Sequence, residues 1–236
     1  MAKEFLFNDR PSLFAQLAKD CHTHLTKALA DRGTTTLMVS GGSTPAPLFE
    51  ALSLSNLDWN NISVALVDER WVDQSHNASN EALIYRSLLI NQAKQATFVG
   101  MKTKAASADE GCAETESLYQ MLPKPFAVTL LGMGSDGHTA SLFPHATGLA
   151  EALSGEKKHL TAAINANPSV VTGPNTERLT LTLFGLLQSE RLILLLTGEE
   201  KLTTFREATT EGRIEDMPIR ALLRQSKVPV ELYWAP

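Results

Sequence analysis

Short apolar runs alternate with helix-period stretches from one end of this 236-residue chain to the other. Runs at 34–40, 62–68, 126–131, 159–164, 178–183, 192–197 and 228–234 have the length and the β-branched or aliphatic content of strands. Between them, Leu13, Leu17, Ala18, Cys21, Leu25, Ala28 and Leu29 recur at helical spacing over 10–31, and Gly33 is the stop. Thr44 is expected to cap a helix that starts at Pro45, a favoured first position for proline. Ser79 opens another helix to about Leu89. Ser107 and Glu110 form a capping box for a helix ending near Pro123, and a further helix covers 200–210. The alternation implies an α/β fold: a largely parallel sheet with helices on both faces, a Rossmann-like three-layer sandwich. No repeat or linker interrupts it, so 1–236 is expected to be one domain, with 144–158 and 165–176 as polar surface loops. In such sheets ligands bind outside the carboxyl ends of the strands.

The run at 126–131 leads into Gly132-Met133-Gly134-Ser135-Asp136-Gly137-His138. Glycines let the backbone turn tightly and approach a ligand. The turn is expected to deliver Asp136 and His138 to the start of the next helix, where free N–H groups and the dipole favour an anion. A carboxylate beside an imidazole fixes the tautomer for proton transfer. The alternative is a purely structural role, with His138 as a helix-capping residue. Gly132, Gly134 and Gly137 formally match a dinucleotide fingerprint. That fingerprint also needs an acid at the end of a second strand, and Glu151 and Glu156 lie in a polar loop. Nor is this a nucleophile elbow, because Met133 takes its first glycine position around Ser135.

Two further segments follow expected strands. Ser40-Gly41-Gly42-Ser43-Thr44-Pro45 has the glycines, hydroxyls and helix start of a phosphate cradle, or equally of an ordinary β–α turn. It lacks the lysine of a Walker motif. Asp68-Glu69-Arg70-Trp71 places three charges at a strand end, where they need partners or a ligand. An arginine there would grip a carboxylate or stabilise an oxyanion; the alternative is a surface ion-pair cluster. Lys201 follows the strand at 192–197 and would close over a phosphate, although Glu199 and Glu200 beside it read as a solvated helix start. His22 and His24 face different directions on a helix, and His76, His145 and His159 form no metal spacing.

The formal charge of −5 argues against a nucleic-acid or membrane-surface partner but not against a small anion. Cys21 and Cys112 form no C-x-x-C and read as free thiols in a reducing cytosol. No long apolar run follows the Met1-Ala2-Lys3-Glu4 start, so neither a signal peptide nor a transmembrane span is expected.

Taken in order, Ser40–Pro45, Asp68–Trp71, Ser79-Asn80-Glu81 and Leu131–Pro144 resemble the 6-phosphogluconolactonases of the oxidative pentose phosphate pathway. The resemblance covers most of the chain. It implies hydrolysis of 6-phospho-D-glucono-1,5-lactone to 6-phospho-D-gluconate, with a sugar-phosphate lactone as the small-molecule partner and no cofactor or metal. It implies His138 as the base that draws a proton from water, Asp136 as its orienter and Arg70 as the oxyanion donor. Gly41, Gly42, Ser43 and Thr44 would hold the phosphate, and Arg178 and Lys201 would supply counter-charge. Asp68 and Asn80 would complete the substrate pocket. A cytoplasmic monomer or weak homodimer is expected.

The wider superfamily includes glucosamine-6-phosphate deaminases, which carry a Glu five residues after the turn histidine and usually Tyr at the position of Arg70. Here the first of these is Phe143, and both departures favour the lactonase. A non-catalytic sugar-phosphate sensor is the third reading, and no helix-turn-helix or basic segment is appended to support it.

Overall fold

The computed structural model describes residues 2–155 and 158–236. Glu156 and the end of the loop expected at 144–158 therefore fall partly outside the described residues. The first long helix, α1 (Arg10–Arg32), begins where the Asp9 side chain accepts from Ser12 N at 2.7 Å. It buries Leu13, Leu17, Cys21, Leu25 and Ala28 and ends at Gly33, whose φ of 77° is accessible to glycine. This stripe lies across strands β2 (Thr35–Val39), β6 (Val128–Leu131) and β10 (Val230–Ala235).

These strands belong to a seven-stranded parallel sheet with order β1-β10-β9-β6-β2-β3-β5. Its other members are β1 (Lys3–Leu6), β3 (Ile62–Leu66), β5 (Thr97–Val99) and β9 (Leu192–Thr197). Every residue of β2, β6 and β10 is buried, which is why these strands are largely apolar, interrupted only by Thr35, Thr36, Thr129 and Glu231. The α/β class is as expected, with a largely parallel sheet and helices around it. The edge strands β1 and β5 were not legible, because they are short and partly exposed. β2 connects onward to β3 on one side, whereas β6 leads to β9 on the other. Their carboxyl ends therefore diverge at a topological switch point, where a crevice opens.

Several expected elements are corrected. The run at 62–68 is not one strand. Val67 N donates to Val39 O at 2.9 Å, while Val67 O accepts from Leu181 N at 2.7 Å. The chain thereby leaves the large sheet and forms β4 (Asp68–Arg70) in a second, antiparallel sheet with β8 (Glu177–Leu181) and β7 (Thr161–Asn165). Helix α2 (Ala46–Ser53) starts one residue later than expected. Pro45 is its cap, and Thr44 makes no capping bond. No helix follows the glycine turn. Residues 132–148 run as turns in which Gly137, Ala140, His145 and Gly148 adopt positive φ, and the next helix is the short α5 (Leu149–Leu153) within the expected loop.

Helices α3 (Asn80–Ser87) and α4 (Ala108–Gln120) begin at the expected caps, Ser79 and Ser107. Glu110 reaches back to Ala106 N at 3.1 Å, one residue before the cap it was expected to meet. Helix α6 (Leu183–Leu186) is a single turn; α7 (Glu199–Ala208) and α8 (Ile219–Arg224) follow, before β10 ends the fold. Cys21 and Cys112 are free thiols. Among the described residues no helix is long and apolar enough to cross a membrane.

Candidate active site

The crevice at the switch point is a cleft of about 510 Å³. The end of β2 supplies Ser40 through Pro45, and the end of β6 supplies Leu130 through Gly134. The small sheet contributes Asp68, Arg70 and Arg178, the start of α3 contributes Asn80, and the first turn of α7 contributes Lys201. His138 and Phe143 enter from the turns after β6. Ten of the eleven residues expected to form a site thus line one cavity: Gly41, Gly42, Ser43, Thr44, Asp68, Arg70, Asn80, His138, Arg178 and Lys201. The eleventh, Asp136, stands behind His138 rather than on the wall.

The glycine turn holds this pair by close packing. A Cβ at Gly134 would lie 2.1 Å from His138 Nδ1 and 2.4 Å from Asp136 Oδ1, so no larger residue fits. Gly134 N donates to His138 O at 2.9 Å and closes the turn. Asp136 Oδ1 lies 2.6 Å from His138 Nδ1 and accepts from His138 N at 3.1 Å. Burial alone would raise the Asp136 carboxyl. The hydrogen bond and charge of His138 outweigh it and hold the group below the usual carboxylate range. An ionised carboxylate only accepts, so the proton between the two groups belongs to Nδ1. The structural alternative for His138, a helix cap, falls because no helix begins there.

Strand alternation explains the second motif. Arg70 faces Arg178 across the β4–β8 ladder, and Asp68 faces Thr180. Residues two apart share a face, so Asp68, Arg70 and Arg178 all belong to the cleft side. Glu69 points away. Its oxygens accept from the backbone N–H groups of Arg70, Asn80 and Glu81 and from the Ser79 hydroxyl. That carboxylate caps α3 and has no oxygen to spare as a base, although burial pushes it above its ordinary range. Arg70 donates from NH1 to Ala78 O at 2.5 Å, and its Nε is buried without a protein partner. A buried guanidinium nitrogen left without a protein partner retains donor capacity.

Arg178 is 3% exposed and donates to Thr172 O at 2.9 Å and Asn175 O at 2.6 Å. Burial pushes its pKa down to about 10, opposed by Asp68, so it stays cationic at neutral pH. Part of its donor set therefore braces the 172–175 loop, a role the sequence did not suggest. Asp68 is also structural: its Oδ2 accepts from Ser141 Oγ at 2.6 Å, and its backbone O accepts from Asn80 Nδ2 at 2.8 Å.

Ser141 was missed; its only signal was a hydroxyl three residues after His138. Val171, on the cleft wall, lies in a loop with no signal at all. Gly41 packs against this network. A Cβ there would lie 1.8 Å from Asn80 Oδ1. Gly41→Ala is therefore expected to displace Asn80 from Asp68 and to lower stability by about 1–3 kcal/mol, as thermal unfolding would show. An unchanged Tm would mean that Asn80 swings aside freely.

Comparison with known proteins places this geometry in context. Residues 8–234 match the sequence model of the family described as glucosamine-6-phosphate isomerases/6-phosphogluconolactonase. The chain is 41% identical to a 6-phosphogluconolactonase of Mesorhizobium japonicum over 230 residues, covering 98% of this chain and 94% of that one. It is 38% identical to the 6-phosphogluconolactonase of Rhizobium meliloti, covering 100% and 99%. Among solved structures, a 6-phosphogluconolactonase from Shewanella baltica superposes with a TM-score of 0.94 at 39% identity, covering 100% of this chain and 98% of that one.

Proposed function

The chain belongs to the family of glucosamine-6-phosphate isomerases and 6-phosphogluconolactonases, and from that premise we propose that it hydrolyses 6-phospho-D-glucono-1,5-lactone to 6-phospho-D-gluconate. The observation that carries the reading is the Asp136–His138 pair, 2.6 Å apart, in contact with a cleft that also holds Arg70 and the 41–44 loop.

The chemistry follows from the parts. A lactone is an activated ester, so attack by water needs a base more than it needs a covalent nucleophile. His138, protonated on Nδ1 by its bond to Asp136, takes a water proton on Nε2. The oxygen attacks the lactone carbonyl, and negative charge develops on the carbonyl oxygen. Arg70, with Nε unpartnered, meets that charge and then the product carboxylate. Collapse breaks the ring C–O bond, and the proton on His138 goes to the leaving alkoxide. Gly41, Gly42, Ser43 and Thr44 hold the phosphate, with Thr44 free of any capping bond. Lys201 and Arg178 supply positive charge to a cleft in a chain whose net charge is −5. Asn80 and Asp68 fix the wall between the phosphate loop and the small sheet.

The deaminase reading of the same fold is disfavoured by Phe143, which packs on His138 where that chemistry places an acid. The test is a lactone hydrolysis assay beside an ammonia-release assay on glucosamine 6-phosphate. Lactone loss above the spontaneous rate and no ammonia are expected; the converse would overturn the assignment. Unphosphorylated gluconolactone should be much the poorer substrate, because remote binding energy positions the carbonyl. Ser43→Asp sets a negative charge against the phosphate. Two like charges about 4 Å apart cost roughly 1–4 kcal/mol at intermediate to high dielectric. KM should rise about tenfold or more while the protein stays folded, and an unchanged KM would remove the 41–44 loop from the phosphate site.

A further inference from the structure

Phe143 lies five residues after His138 and is almost fully buried, yet it reaches the cleft wall. Its ring stacks on the imidazole, with centroids 4.2 Å apart and an interplanar angle of 28°. The guanidinium carbon of Arg178 lies 5.4 Å from the centroid of the same ring. One aromatic ring is thus shared between the catalytic imidazole and a permanent cation. The face of such a ring is electron-rich and attracts a positive charge placed over it.

We propose that Phe143 is a positioning residue for His138: it keeps the imidazole plane fixed beside Asp136 and favours the imidazolium form that arises when His138 accepts the water proton. The proposal rests on the reading of His138 as the base. The bond to Asp136 restrains the imidazole at Nδ1, and the stacked ring further limits rotation about Cβ–Cγ. Orientation and charge stabilisation then act on the same atom, Nε2.

The charged groups around the imidazole set the sign of the effect. Asp136, on the same turn, favours the protonated ring. Arg178 from β8, and Arg70 and Lys201 on the cleft wall, oppose it. Asp68 is engaged by Ser141 and Asn80. The start of α8 packs on Gly137, where Ile219 N donates to Gly137 O at 2.9 Å, with Met217 of the preceding segment beside it. Its Asp216 is occupied by His145 at 3.0 Å. Removing the electron-rich aromatic face disfavours the imidazolium. Midpoints that report His138 protonation should then move to lower pH.

The test compares Phe143→Leu, which keeps bulk without the ring, with Phe143→Tyr, which restores the ring. The His138 ring protons are followed by NMR in the resting protein across pH, and kcat and KM are measured on the phosphorylated lactone. In Phe143→Leu the upfield ring-current shift should vanish and the titration midpoint should fall. kcat should fall by about threefold to tenfold with KM little changed, and Phe143→Tyr should restore all three. A folded Phe143→Leu protein whose His138 midpoint equals that of the parent overturns the proposal. A midpoint that moves while kcat stays constant leaves the stacking role in place and removes His138 as the base instead. If Phe143→Leu does not fold, Phe143→Met gives the same comparison.

Discussion

His138→Ala is expected to lower kcat by about 10²–10⁴-fold, the usual contribution of a positioned general base, once spontaneous lactone hydrolysis has been subtracted. The protein should stay folded, because the imidazole is partly exposed and its one side-chain hydrogen bond goes to Asp136. Binding of 6-phosphogluconate should survive, since the 41–44 loop, Arg70 and Lys201 lie on other strands' ends. Asp136→Asn keeps the shape but removes the charge that holds Nδ1–H and supports the imidazolium, so it should cost less than loss of the base. The pH profile separates the two groups. A carboxyl whose folded pKa is depressed contributes stability above its unfolded value, near 3.9, and loses it as pH falls through the lower folded value. Asp136 is such a group, so between about pH 5 and 8 it stays charged. A fall in rate on the acid side of that window is therefore not expected to come from Asp136. If His138→Ala keeps near-parental kcat, the base is not His138. Asp68 and Glu69 would not readily replace it, because their oxygens are already engaged by Ser141, Asn80 and the α3 backbone.

The parts of the fold that were legible are those where local and long-range forces agree. β9 occupies the expected 192–197 to the residue, because a strand buried on both faces must be apolar throughout. α1 ends one residue beyond expectation, at a glycine stop visible in the chain. What was not legible depends on partners far away in sequence. Nothing in 62–68 says that Val67 will split its two backbone bonds between Val39 and Leu181. Yet that split creates the small sheet and turns Asp68 and Arg70 into the cleft. The helix expected at Asp136 gave way to turns, with Gly137 and Ala140 at positive φ, and the chain brings Phe143 back onto His138. The candidate residues themselves were legible because loops at the carboxyl ends of strands carry glycines, hydroxyls and charges that no core requires. Their supports, Ser141, Phe143 and the 172–175 loop, look like ordinary packing until the chain is folded.

Arg70 carries the second large expected effect. Its guanidinium is held by Ala78 O, leaves Nε buried and unpartnered, and stands opposite Arg178 in the β4–β8 register. The two arginines are not equivalent. Arg178 spends two donors on the loop carbonyls of Thr172 and Asn175, whereas Arg70 spends one on Ala78. The arginine with the greater donor capacity left over is the one suited to charge that exists only in the transition state. Arg70→Ala should therefore reduce kcat by roughly 10²–10³-fold, as loss of one oxyanion donor does elsewhere, with a smaller change in KM. Arg70→Lys keeps the charge but loses the planar fork. It would have to abandon either Ala78 O or the oxyanion, so it should recover only part of the rate. Ala78 O loses its partner in Arg70→Ala, so thermal unfolding must accompany the kinetics to separate a looser 71–79 loop from lost chemistry. If Arg70→Ala raises KM alone while kcat stays at the parental value, the guanidinium binds the ground state. The oxyanion would then have to be met from elsewhere on the wall, for example by the backbone N–H groups of Gly132 and Met133 after β6.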